Sequence, residues 1–367
     1  MSRGRVLETV LVDLGERSYP VQLGVDTLGD AGGEIARYTK AQHAVVITVP
    51  PVGRRYARPL LRSLRDAGLR ASRIDVPDGD RSKNLRQVAR LYDALLERRA
   101  DRSTVVVALG GGMVGDLAGF AAASFLRGIP FVQVPTTVLA MVDSSIGGKV
   151  GVNLPQGKNL VGAFHQPRLV WIDLATLDTL PARQRAAGLA EVIKAGAIAD
   201  AALFERLERD AEKLMDLDAE ALLPVLARAC AIKADVVRRD ERESGVRMLL
   251  NFGHTLAHAV EKLTGYRKIL HGEAVAIGMV FAARRSEALG LAPAGVADRI
   301  EALCRRIGLP VELPALPRRT YLSALRVDKK KREARIHYVV LREIGRAETL
   351  PLEPAEILPP TRRGGSR

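Results

Sequence analysis

The chain has 367 residues, with 56 Lys and Arg against 42 Asp and Glu and a formal charge of +14. That length exceeds one ordinary core and suits two domains, and a hydrophobic content of 47% is that of a folded globular protein. No run of about 18 uncharged apolar residues is present to span a membrane, and aromatic residues, at 4%, are too few for a base-stacking platform.

Arg3, Arg5, Glu8 and Asp13 interrupt the start of the chain, so it does not read as a secretory signal. Cys230 and Cys304 lie far apart and form no metal-type pair. They read as core fillers of a reduced, cytoplasmic protein. Arginine is spread over nearly every helical stretch, often beside an acid, and clusters only in the tail at Arg362, Arg363 and Arg367. The expectation is binding of anionic small molecules, with no nucleic-acid or membrane partner.

In chain order, residues 6–12 and 19–23 read as strands joined at Gly15-Glu16. An apolar run at 44–49 precedes an amphipathic stretch at 52–67, and a strand at 73–76 precedes a helix at 85–99. Residues 104–109 form an apolar strand followed by glycines and a helix, and further strands fall at 131–134 and 169–172. Continuous apolar strands separated by helices indicate a parallel sheet covered on both faces. The pattern changes at Thr179-Leu180-Pro181, and from 182 to 309 nearly every window has helical spacing. A small hairpin is expected from 334–341 and 346–350 around Ile344-Gly345. The expected architecture is an α/β N-terminal nucleotide-binding domain (1–180), a mainly helical C-terminal domain (181–358) and a disordered tail (359–367). A cleft between the domains is the natural place for a site.

Gly110, Gly112 and Gly115 fit G-x-G-x-x-G between the strand at 104–109 and a helix. Such glycines let the backbone approach a pyrophosphate at a helix N-terminus. The acid expected about 20 residues later for a ribose hydroxyl is missing, because 122–134 carries no carboxylate. A second loop, Asp78-Gly79-Asp80-Arg81-Ser82-Lys83, follows a strand and offers an acceptor at Asp80 and a cation at Lys83. Pro135-Thr136-Thr137 also follows a strand and leads to Asp143-Ser144-Ser145-Ile146-Gly147-Gly148-Lys149. Lys149 and Lys158 flank a weakly periodic, glycine-containing region that ends at Lys158-Asn159. Loop lysines of this kind suit phosphate or carboxylate.

The helical half holds His254 and His258, four apart on one helix face, and His271. Glu191 and Lys194 share a face at three-residue spacing. One carboxylate with two imidazoles is a catalytic zinc-type donor set. Spacing does not settle which two histidines serve; His254 with His258 is the simplest choice. Lys233, Arg247, Asn251 and the run Asp328-Lys329-Lys330-Lys331 lie in the same half. Together they suit a substrate with hydroxyls to polarise and anionic groups to anchor.

From about 45 to 345 the chain resembles the 3-dehydroquinate synthase family. The resemblance rests on Gly111-Gly112-Met113-Val114-Gly115-Asp116, Pro135-Thr136-Thr137, the stretch 143–149, Glu191-Val192-Ile193-Lys194, Asn251-Phe252-Gly253-His254-Thr255 and His271-Gly272-Glu273, all in family order. It implies Glu191, His254 and His271 as ligands of one divalent ion, zinc or cobalt, with His258 near the substrate. It assigns to NAD the loop Asp78, Gly79, Asp80, Arg81, Ser82 and Lys83 and the turn Gly112, Met113, Val114, Gly115 and Asp116. It adds Thr136, Thr137, Lys149, Lys158 and the segment Thr176-Leu177-Asp178-Thr179. It gives to substrate Asp143, Lys149, Asn159, Lys194, Lys233, Arg247, Asn251 and one of Lys329 or Lys330, of which Lys330 is preferred. Arg127 resembles an arginine that reaches a neighbouring subunit's site, which implies a homodimer.

Three positions depart from the family pattern. Val49, followed by Pro50-Pro51, stands where Asp or Asn often contacts the ribose, Asp80 replaces a longer Glu, and 331–335 lacks a glycine. The implied reaction converts 3-deoxy-D-arabino-heptulosonate 7-phosphate to 3-dehydroquinate. It proceeds by transient oxidation, β-elimination of phosphate, re-reduction and aldol closure. Sister sugar phosphate cyclases, a metal-dependent polyol dehydrogenase and a non-catalytic nucleotide-binding protein are the competing readings.

Overall fold

The computed structural model describes residues 5–243, 245–266, 268–327 and 335–358. Lys329, Lys330 and the tail 359–367 lie outside the described residues. The elements run β1 (Arg5–Val12), β2 (Tyr19–Val25), α1 (Ala31–Thr39), β3 (His43–Thr48), α2 (Pro50–Asp66), β4 (Arg70–Asp75), α3 (Leu85–Glu97) and β5 (Thr104–Gly110). Next come α4 (Gly112–Ser124), β6 (Phe131–Pro135), β7 (Lys149–Leu154), β8 (Gly157–Phe164) and β9 (Leu169–Asp173). The helical part has α5 (Ala182–Ala199), α6 (Ala201–Met215), α7 (Ala219–Arg239), α8 (His254–Leu263), α9 (His271–Ala288), α10 (Val296–Arg306) and α11 (Arg318–Val327). The hairpin β10 (Ile336–Glu343) and β11 (Arg346–Leu352) and the short α12 (Pro354–Ile357) follow. No helix among the described residues is long and apolar enough to cross a membrane.

Two compact units emerge. One comprises residues 1–181 with 217–242, and the other 182–216 with 243–367, each through its described residues. This corrects the division expected at 180/181, because α7 belongs to the first unit. It packs against β1, β2 and the π-helical turn Ala140–Ser144. Its period matches that of its neighbours in sequence, so only its packing partner separates it from them.

The first unit is built on a seven-stranded sheet ordered β1-β2-β9-β6-β5-β3-β4. Six strands are parallel, and β1 pairs antiparallel with β2 at one edge. Alternation along the pleat sorts side chains to two cores. Val45 and Ile47 of β3 face α3 and α4, while Ala44 and Val46 face α1 and α2. The crossovers after β3 and β5 leave in opposite directions, because β4 and β6 lie on opposite sides of that strand pair. This is the switch point at which open α/β sheets bind ligands beyond the carboxyl ends of their strands.

The region from Lys149 to Asn159, expected to be weakly periodic, belongs to the hairpin β7–β8, which runs on to Phe164. Gly151 lies opposite Gly162. A Cβ on Gly151 would come 2.7 Å from the Val161 carbonyl oxygen, and one on Gly162 would collide with that of Val150. The small residues that permit this approach also remove the hydrophobic alternation by which a strand is recognised.

In the second unit, α5 is buried without a break from Ala186 to Ile198, and α9 from Gly272 to Val280. Helices buried on all faces are central elements. Here they carry Glu191 and Lys194 inside the unit, with half-buried His271 at the start of α9.

Gly162→Ala is expected to lower stability by about 1–3 kcal/mol through overpacking, measured by denaturant unfolding. Wild-type stability would show that the two strands can separate without cost.

Candidate metal centre and nucleotide loops

Glu191 on α5, His254 at the first position of α8 and His271 at the first position of α9 place ligand atoms within 4.8 Å of one another. This trio could hold a metal ion, and the geometry completes it with His271 rather than His258. Nε2 of each imidazole stands 3.5 Å from Glu191 Oε1. That oxygen is buried and meets no hydrogen-bond donor among the described residues. The separation is loose for a charge-assisted hydrogen bond and leaves room for a cation.

Both rings are oriented from behind. His254 Nδ1 lies 3.1 Å from the Phe252 carbonyl oxygen, and His271 Nδ1 lies 3.3 Å from Glu261 Oε2. With Nδ1–H given to these acceptors, each Nε2 faces Glu191. Burial and the Lys194 ammonium push the His254 imidazole down to about 3. Burial would lower His271 as well, but Glu191 and Glu261 outweigh it and raise it to about 10. Burial alone would raise the Glu191 carboxyl; Lys194, paired with its Oε2, and the two imidazoles hold it well below the carboxylate range.

Close helix packing sets these positions. A Cβ on Gly272 would collide with the Ala187 carbonyl of α5, and one on Gly278 with the Gly253 carbonyl just before α8. Gly253 itself has φ +78°, which only glycine adopts freely. Glu273 then fixes the start of α9: its Oε2 accepts the Leu270 N–H at 2.8 Å, and Arg183 Nε donates to its Oε1 at 2.6 Å. The motif at 271–273 thus supplies a donor, a close contact and a cap in turn.

His258 stands beside the trio, its ring centroid 5.7 Å from His254 and 6.4 Å from His271. Arg247 is buried in the turn Val246–Asn251. Asn251 Nδ2 donates to Glu243 Oε1 at 3.2 Å. Glu243 was not expected from sequence; it lies in an acid-and-arginine stretch with no periodic signature, at a left-handed φ of 61°.

In the first unit, the glycine turn follows β5 as expected. Gly111 precedes α4 in extended backbone, and no side chain caps the helix. A Cβ on Gly115 would lie 2.6 Å from Gln133 Oε1 of β6, and one on Gly112 2.8 Å from Ser144 Oγ. These two glycines therefore seat the helix against β6 and the turn at Ser144. The loop 78–83 bends at Gly79, with φ +94°. Lys83 is buried, and its ammonium is held by Asp116 and Asn159. Burial raises the Asp116 carboxyl against the pull of Lys83. Asp80 pairs with Lys158 at 3.4 Å and accepts from Asn153 Nδ2 at 3.3 Å. The loop, the glycine-turn acid and the hairpin tip are thereby knit together.

Thr136 is buried, and its backbone N–H donates to the Gly110 carbonyl at 3.0 Å. Thr137 Oγ1 accepts the Ala140 N–H at 3.2 Å. Lys149 is exposed at the start of β7. Lys233 of α7 pairs with Asp143 and donates to its carbonyl oxygen at 2.7 Å. Thr176 and Leu177 are buried while Asp178 and Thr179 are exposed. Tyr56, another group not expected from sequence, binds the Thr176 carbonyl at 3.1 Å and Thr179 Oγ1 at 2.7 Å. Val49 is a buried core residue, so the position after β3 offers no polar group. Arg127 stands apart, at φ +66°, lining a cavity of about 310 Å³ that includes none of the other expected site residues.

A doubly wound nucleotide-type unit and a helical unit with a carboxylate–imidazole trio define the class of two-unit, metal- and nucleotide-dependent enzymes. The model of the 3-dehydroquinate synthase N-terminal domain matches residues 73–187, and that of the C-terminal domain matches 188–331. A 3-dehydroquinate synthase from Geotalea uraniireducens (strain Rf4) is 49% identical over 339 residues, 92% of this chain and 94% of that protein. One from Nostoc punctiforme (strain ATCC 29133 / PCC 73102) is 46% identical over 350 residues, covering 95% and 96%. The chain belongs to the 3-dehydroquinate synthase family. Among solved structures, a 2-deoxy-scyllo-inosose synthase complexed with carbaglucose-6-phosphate, NAD+ and Co2+ has a TM-score of 0.86 at 26% identity, covering 95% of this chain and 98% of that one. A 2-epi-5-epi-valiolone synthase from Streptomyces hygroscopicus subsp. jinggangensis 5008, with NAD+ and Zn2+ bound, has a TM-score of 0.85 at 31% identity, covering 94% and 96%.

Lys83→Met leaves Asp116 without its cation and is expected to destabilise the chain by about 3–5 kcal/mol, read from denaturant midpoints. Adding Asp116→Asn should recover part of the loss; equal stability of the single variant and wild type would contradict the pairing.

Proposed function

We propose that this chain is a 3-dehydroquinate synthase, a carbon–oxygen lyase that converts 3-deoxy-D-arabino-heptulosonate 7-phosphate to 3-dehydroquinate and phosphate. The observation that carries the reading is the trio of buried Glu191 and His254 with half-buried His271, whose facing electron-rich atoms call for a cation. The family and its relatives at 49% identity support it. The cyclases of similar fold supply the cofactor reading, since one holds NAD+ with Co2+ and the other NAD+ with Zn2+.

Glu191, His254 and His271 would hold the divalent ion, zinc or cobalt. When bound, the ion supplies Lewis acidity to substrate hydroxyls, and the nicotinamide supplies a reversible hydride acceptor, so no net NADH accumulates. The turn 112–116, the loop 78–83, Thr136, Thr137, Lys149, Lys158 and the segment 176–179 would hold NAD. Lys149, Lys194, Lys233, Arg247 and Lys330 would neutralise carboxylate and phosphate, while Asn159 and Asn251 orient hydroxyls. Asp143 fixes the Lys233 ammonium, and Glu243 fixes the Asn251 amide. His258, beside the trio, can pass a proton, and the leaving phosphate can serve as base. Arg127 is proposed to reach a second copy in a homodimer. The two buried free thiols, Cys230 and Cys304, pushed up to about 12 by burial, suit a reducing cytoplasm.

The deciding assay follows phosphate release from the heptulosonate phosphate with and without chelator while watching NADH. Chelator-sensitive release with no net NADH is expected. Stoichiometric NADH would indicate a dehydrogenase, and turnover only of another sugar phosphate would indicate a sister cyclase. His271→Ala should abolish metal binding and turnover in a folded protein; a full complement of metal would remove His271 from the ligands.

The proton held by His271 competes with the cation, because Glu191 and Glu261 push that imidazole up to about 10 while burial and Lys194 push His254 down to about 3. Metal affinity is therefore expected to rise about tenfold from pH 7 to pH 8, with one proton released per ion. Affinity independent of pH in that window would contradict the assignment. Arg247→Ala should raise the KM for sugar phosphate at least about tenfold, in line with losing a charge-assisted contact, with little effect on NAD. An unchanged KM would contradict its anchoring role.

A further inference from the structure

Helix α8 presents more than a metal donor. His254, His258 and Glu261 stand at i, i+4 and i+7, on one face. Glu261 is 5% exposed, an uncommon place for a carboxylate. Its Oε2 lies 3.3 Å from His271 Nδ1 on the neighbouring helix. We propose that Glu261 is a positioning residue for the metal centre: its carboxylate holds the Nδ1–H of His271, setting the ring's tautomer and rotation so that Nε2 faces the cation site. This inference rests on the metal reading above.

The two imidazoles differ in what holds them. His254 is turned by a backbone carbonyl two residues away, at 3.1 Å, and its side chain is 11% exposed. His271 has no such local acceptor; its side chain is 30% exposed and sits on the first residue of a helix. An imidazole there can rotate about two side-chain bonds, and either nitrogen can carry the proton. A carboxylate behind Nδ1 removes both freedoms and makes Nε2 a stronger donor. One helix thus supplies one ligand directly and orients another.

The test uses the full-length chain stripped of metal and titrated with Zn2+ against a chromophoric chelator, for wild type, Glu261→Ala and Glu261→Gln. Glu261→Ala is expected to weaken zinc binding about 10- to 100-fold. Glu261→Gln keeps an acceptor without the charge and should lose several-fold. The Co2+-loaded variants should also show altered visible ligand-field bands, a readout that a general loss of stability would not move. Thermal midpoints of the metal-free proteins separate lost binding from lost folding. A folded Glu261→Ala with wild-type zinc affinity and cobalt spectrum overturns the proposal. If that variant does not fold, Glu261→Gln decides, and wild-type values there overturn it. Failure of the wild type itself to bind one ion per chain would instead sink the metal reading.

Discussion

Three electron-rich atoms meet inside the helical unit: a buried carboxylate oxygen and two imidazole nitrogens, with 3.5 Å between the oxygen and each nitrogen. Left to themselves they repel, and a buried carboxylate without a donor is costly. Positive charge has to enter, as the Lys194 ammonium on one side and as a proton or metal ion between the atoms. Much of the unit serves to keep this arrangement from relaxing. The Phe252 carbonyl and the Glu261 carboxylate hold the rings from behind, and Arg183 with Glu273 fixes the start of the helix that carries His271.

Backbone contact replaces side-chain packing where that precision is needed. Gly272 lies against the α5 backbone, and Gly253 against Gly278, so α5, α8 and α9 approach more closely than any Cβ allows. The first unit uses the same device around nucleotide-type loops. Gly115 admits Gln133, Gly112 admits Ser144, and Gly151 faces Gly162. The charged groups there also come paired: Lys83 with Asp116, Lys158 with Asp80 and Lys233 with Asp143. Long cationic side chains are thereby fixed in place before any ligand arrives, which lowers the ordering cost of binding.

Much of this was legible before folding. The apolar runs at 44–49 and 104–109 indicated buried parallel strands, and the glycines after the second marked its turn. The order of motifs at 111–116, 191–194, 251–255 and 271–273 pointed to the family. The hairpin β7–β8 was not legible, because glycine and half-exposed positions erase period-two alternation. Nor was the membership of α7, since helical spacing records that a face is buried but not what covers it. Glu243 and Tyr56 act through hydrogen bonds to distant or irregular segments, which leave no periodic trace.

Local choices were written in the residues: most strands and helices, though not the hairpin β7–β8, the places where glycine must stand, and the side chains that can bind a cation or an anion. These follow from steric and solvation preferences that act over a few residues. Spacing left open whether His258 or His271 joins His254; the order of motifs pointed to His271, and the fold brings that residue together with Glu191 and His254. Spacing along α8 brings two histidines near each other, but a shared centre depends on where three separate helices cross. That crossing is set by glycine contacts and buried charge between segments far apart in the chain, such as Ala187 and Gly272, and no short-range rule contains it.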